Sequence, residues 1–169
     1  MAGTKKSDSS APTGGDILAR RNQATWDKQG LPSLKDILIV EDDTLDSERL
    51  QATLHIILGR DVNIRKAQTL TSALDCVLEA KPDMVFLDDY LKPSDTALQT
   101  LPLIKRAGYD GPIVVISGAI TRRRVAELKA AGASACIHKE DVDSGRVTEA
   151  LNEVFQELEA DLGSSSSTT

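Results

Sequence analysis

Residues 36–43 read DILIVEDD: an apolar run over 37–40, then three carboxylates. The pattern recurs at 84–89, MVFLDD. A strand with one wet face alternates polar and apolar residues, whereas these runs do not alternate, as expected of strands covered on both faces. Carboxylates directly after such strands lie at their carboxyl ends, where open parallel sheets hold ligands. The two stretches together predict a parallel sheet with an acidic edge.

Outward from them, further strands are predicted at 62–66, 113–116 and 135–138, beside 36–40 and 84–87. Helical periodicity covers 45–58, 71–80, 100–107, 122–131 and 145–162. Leu50, Leu54 and Ile57 in the first helix, and Val147, Leu151, Val154 and Leu158 in the last, recur at steps of three and four, the spacing of a buried stripe. Gly59, Gly108 and Gly132 follow helices where a left-handed residue closes the last turn. Strands alternating with helices predict an α/β fold of five right-handed repeats. Pro102 falls inside the third helical segment, which is therefore expected to start late, with Pro102 in its first turn.

A chain of 169 residues allows one domain with tails. The division expected is an extension over 1–33, a domain over 34–162 and a disordered tail over 163–169. Residues 1–15 carry too little to bury to be ordered, and a short helix capped by Asp16 is expected after them. A net charge of −6 argues against nucleic-acid binding, which needs cations to displace counterions. No apolar run is long enough to cross a membrane. Cys76 and Cys136 show no paired-thiol or zinc spacing and are expected to be reduced core thiols. The twin Arg20 and Arg21 lack the apolar stretch of an export signal, so a cytoplasmic location is expected.

The chemistry gathers at the strand ends. The first strand ends in Glu41, Asp42 and Asp43, the third in Asp88 and Asp89, the fourth in Ser117 and the fifth in Lys139. Two carboxylates about 4 Å apart repel by roughly 4 kcal/mol at an effective dielectric near 20, so such a cluster calls for a cation. An all-oxygen donor set without a dense cage favours Mg²⁺ over Ca²⁺. Asp43 is expected only to cap the helix that follows. A hydroxyl and an ammonium beside a cation are what binding a phosphoryl group requires.

This ordered set, acidic pair, aspartate, serine and lysine, resembles the receiver domain of bacterial two-component response regulators over residues 36–162. The resemblance implies a flavodoxin-like, doubly wound five-stranded sheet of order 2-1-3-4-5. It implies phosphorylation of Asp88, with Ser117 and Lys139 completing the catalytic set. Mg²⁺ would be held by Glu41, Asp42, Asp88 and the backbone carbonyl of Tyr90. The phosphoryl donor would be a sensor histidine kinase or histidine phosphotransfer protein, and the output a downstream protein target, with neither nucleic acid nor membrane involved. The chain would be no enzyme beyond its own phosphorylation and dephosphorylation. The flanks are too short for a DNA-binding or enzymatic domain, so a stand-alone receiver acting through protein contacts is expected.

Asp89 competes for the acceptor role, since it stands four residues before Pro93. The lead-in KPDMVFLD favours Asp88, and neighbouring strand residues point to opposite faces, so only one can serve. The chain departs from the receiver pattern at Cys136, where Tyr or Phe is usual, at Glu140, where proline is common, and over 91–100, which lacks an Asp-Gly turn. These departures keep open a phosphorylation-independent binding module. A phosphohydrolase with an aspartyl-phosphate intermediate is disfavoured by Tyr90, which stands where a second carboxylate is needed. His55 and His138 are expected to be structural, and Arg122, Arg123 and Arg124 to form a solvated face.

Overall fold

The computed structural model describes residues 34–164. Five strands, β1 (Asp36–Val40), β2 (Asn63–Ala67), β3 (Met84–Asp88), β6 (Ile113–Ser117) and β7 (Ala135–His138), form one sheet in the order β2-β1-β3-β6-β7. All four pairings are parallel. Counting these five strands alone, the order is 2-1-3-4-5, the doubly wound topology expected. A two-stranded antiparallel ribbon, β4 (Tyr90–Leu91) with β5 (Asp95–Thr96), follows β3 and was not anticipated. Its loop contains a cis Lys92–Pro93 bond.

The helices are α1 (Thr44–Leu58), α2 (Leu70–Glu79), α3 (Ala97–Arg106), α4 (Arg122–Ala131) and α5 (Ser144–Ser164). Strand alternation divides the core. Leu38, Val40, Val85, Leu87 and Val115 pack with Leu101, Ile104 and Leu128 of α3 and α4. Ile37, Ile39, Phe86 and Ile116 are buried on the other face, with Leu54 of α1 and Leu151 of α5. Because β1, β3 and β6 are covered on both sides, their apolar runs have no polar alternation.

Asp43 caps α1 by accepting from the Asp46 amide at 3.0 Å, the role expected of it. Gly59, Gly108 and Gly132 all carry positive φ. Three expectations need correction. The third helix does not start late: it begins at Ala97, and Pro102 is its sixth residue. Its start is set by a capping box, in which Gln99 Oε1 accepts from the Thr96 amide at 3.3 Å, and by the Ala97 amide donating to the Asp89 carbonyl at 2.8 Å. Leu158 is 42% exposed rather than core, because the last turns of α5 outrun the elements they would pack against. The last helix also continues to Ser164, into the segment expected to be a disordered tail. The expectations for 1–33 and for 165–169 lie outside the described residues.

Candidate functional site

Alternation along the strands splits the carboxyl edge of the sheet into two halves. In β3, Asp88 follows Met84 and Phe86 on the α1 and α5 side, while Asp89 follows Val85 and Leu87 on the α3 and α4 side. Glu41 continues the parity of Ile37 and Ile39, and Lys139 that of Ile137, so both come to the Asp88 side. Ser117 continues the parity of Val115 and comes to the Asp89 side.

On the first side, Lys139 Nζ lies 3.5 Å from Asp88 Oδ2, 3.5 Å from Glu41 Oε2 and 3.0 Å from Asp46 Oδ2. Glu41, Asp42 and Asp88 each present an oxygen within 4.8 Å of the others. Asp88 is 6% and Glu41 7% exposed. Burial pushes the Glu41 carboxyl up to about 7, against the hydrogen bond from the Asp43 amide, and the Asp88 charge pushes it the same way. Burial also raises Asp88, opposed by Lys139. Lys139 is itself raised: burial would lower it, but the Asp46 hydrogen bond and the Asp88 and Glu41 charges outweigh that. One lysine therefore does not neutralise the cluster. The Tyr90 amide donates to Asp88 Oδ1 at 3.4 Å, and its phenol donates to the Pro93 carbonyl.

On the second side, the Ser117 hydroxyl donates to Asp89 Oδ2 at 2.7 Å. Arg124, from the first turn of α4, grips the same carboxylate with two donors, Nε to Oδ2 at 3.0 Å and Nη2 to Oδ1 at 2.5 Å. Burial would raise Asp89, but the Arg124 and Ser117 hydrogen bonds hold it below the ordinary carboxylate range. Arg124 thus departs from the solvated face expected of it, while Arg122 and Arg123 are exposed. A cation at a helix N-terminus is unfavourable by about 0.3–1 kcal/mol. A bidentate bond to a buried carboxylate is stronger than that. Thr121, which accepts from the Arg124 amide at 3.1 Å, sets where α4 begins.

Both halves open into one cleft of about 390 Å³, lined by Glu41, Asp42, Asp88, Asp89, Tyr90, Ser117 and Lys139 among others. The structure therefore brings together all the residues singled out from the sequence, but places the Ser117 hydroxyl on Asp89 rather than beside Asp88. Sequence reasoning missed Asp46 and the Asp89–Arg124 pair. Asp46 reads as an ordinary first-turn acid of α1, and nothing local links residues 89 and 124. His138, expected to be structural, caps the turn at Lys139–Asp141, its Nδ1 accepting from the Glu140 amide. Cys136 is buried, and burial raises its thiol.

A doubly wound sheet with acids from β1 and β3 and a lysine after β7 defines a flavodoxin-like α/β domain with its site at the carboxyl edge. Within that class the chain belongs to the response regulator receiver domain family, whose description matches residues 37–152. Solved structures agree on the fold. The N-terminal domain of a response regulator/sensory box/GGDEF protein from Carboxydothermus hydrogenoformans is similar at 20% identity and TM-score 0.62, over 76% of this chain and 99% of that one. A two-component response regulator from Clostridium difficile is similar at 15% identity and TM-score 0.63, over 73% and 98%. The signal receiver domain of a DNA-binding response regulator from Colwellia psychrerythraea is similar at 26% identity and TM-score 0.60, over 74% and 98%. No curated protein sequence is matched. Among the described residues, no helix is long and apolar enough to cross a membrane.

Proposed function

We propose that the chain accepts a phosphoryl group onto Asp88 from a phosphohistidine of a sensor histidine kinase or histidine phosphotransfer protein, and signals through protein contacts. The observation that carries this is Lys139 Nζ set 3.5 Å from Asp88 Oδ2, beside an acidic cluster open to a cleft. The donor set fits a hard divalent ion: oxygens of Glu41, Asp42 and Asp88 converge, and burial, with the Asp88 charge acting the same way, pushes the Glu41 carboxyl up to about 7. The Tyr90 carbonyl is assigned to the same ion by family resemblance. Mg²⁺ would supply Lewis-acid stabilisation of the charge that builds on the phosphoryl oxygens.

The chain's own residues do the rest. Asp88, ionised, attacks phosphorus through a carboxylate oxygen; the new O–P bond forms as the P–N bond to the donor imidazole breaks, and the electron pair returns to the imidazole nitrogen. Lys139 offsets the charge of the incoming group, and Ser117 is the hydroxyl available to the product acyl phosphate. Water ends the cycle by hydrolysing that acyl phosphate, so the chain turns over no substrate of its own. The reaction implies a cytoplasmic location, where phosphohistidine donors are made.

Incubation with Mg²⁺ and acetyl phosphate, read by intact mass and peptide mapping, tests the proposal. One phosphoryl group on Asp88, absent from Asp88→Asn, is expected. No label would instead favour a binding module that keeps the fold without the reaction, and rapid turnover of phosphate monoesters would favour a hydrolase.

A further inference from the structure

We infer that Asp89 and Arg124 are positioning residues that hold the Ser117 hydroxyl away from Asp88, so that engaging a phosphoryl group requires Ser117 to exchange acceptors. The inference rests on the phosphoryl-acceptor reading above and adds to it the pair that competes for Ser117.

Serine has one hydroxyl proton to donate. In this structure it goes to Asp89 Oδ2 at 2.7 Å, a charge-assisted bond; the alternative acceptor, the Ala119 carbonyl, is at 3.4 Å. Ser117 is 2% exposed, so bulk water does not stand in for a lost partner. The same proton cannot be given to a phosphoryl oxygen on Asp88 while Asp89 holds it. Asp89 does not drift with the serine, because Arg124 grips both its oxygens and its backbone carbonyl accepts from Ala97.

The exchange has a defined consequence. The Ala119 amide donates to Ser117 Oγ at 3.2 Å, so movement of the hydroxyl pulls on the loop after β6. Release of Ser117 also removes one donor from the carboxylate that Arg124 grips, which changes the bonding at the first turn of α4. The path from acceptor to helix runs through Ser117, Asp89 and Arg124. It needs no aromatic ring at Cys136, which is small and buried.

A double-mutant cycle tests this, with affinity for beryllofluoride in the presence of Mg²⁺ as the readout. Asp89→Asn removes a negative charge near the bound anion whatever Ser117 does, so the decisive quantity is the difference between backgrounds. In the native background Asp89→Asn is expected to tighten binding by about five-fold more than in a Ser117→Ala background, the size of one net hydrogen bond. Equal effects in the two backgrounds overturn the inference while leaving the acceptor reading intact. Failure of the native chain to bind beryllofluoride overturns both. If Asp89→Asn does not fold, amide exchange of the first turn of α4 carries the test. Beryllofluoride is expected to alter it in the native chain and not in Ser117→Ala, and an identical response in both overturns the inference.

Discussion

Lys139 touches three carboxylates and satisfies none of them fully, which makes it the residue whose loss is most widely felt. Lys139→Ala is expected to slow labelling by acetyl phosphate about 100-fold, the range for removing one preorganised charge donor, with the fold retained by circular dichroism. Glu41 makes the second prediction. Burial holds its carboxyl up at about 7, above its ordinary 4.5, so the folded state binds this proton more tightly than the unfolded state. Stability linked to Glu41 is therefore fully present below about pH 4.5 and is lost as the pH rises through about 7. Asp88 is raised in the same direction. Metal-free protein is expected to be less stable to urea at about pH 8 than at about pH 5, and Glu41→Gln to flatten that difference. The acid types and their order could be read in the sequence because strand ends are local. The Asp89–Arg124 bond could not, because it joins residues 35 apart in the chain that meet only after α4 docks.

At the scale of elements, caps and glycines were legible and one helix start was not. Thr69, Thr121 and Asp43 each cap the helix after them by accepting from an amide three residues on. Such bonds are built within one turn, so sequence spacing carries them. The start of α3 combines a Thr96–Gln99 capping box with the β4–β5 ribbon and the Asp89 carbonyl, and these last two join segments that no local pattern pairs. That context overrides proline's preference for the first turn. Pro102, exposed in the helix interior, removes the amide that would donate to the Leu98 carbonyl. Pro102→Ala is expected to stabilise the chain by about 1–3 kcal/mol in urea denaturation, with phosphorylation unaffected.

For the whole molecule, the acidic edge is a local cost within a fold stabilised by two apolar layers, one on each face of the sheet. Anything that binds only the folded edge stabilises everything. Mg²⁺ at about 100 times its dissociation constant is expected to add about 2.7 kcal/mol in thermal or urea unfolding, and Asp42→Asn to abolish most of that gain. The sequence by itself determined the α/β class, the order of strands and helices and the types of residue at the carboxyl edge, because apolar runs, periodicity and capping act between neighbours in the chain. Only the tertiary structure decided on which side of the sheet each edge residue falls in space. It set Glu41, Asp88 and Lys139 on one side and Asp89, Ser117 and Arg124 on the other. The reason is that strand parity becomes a shared site only when parallel registers align four separate strands, and a salt bridge between distant residues forms only after those segments have packed.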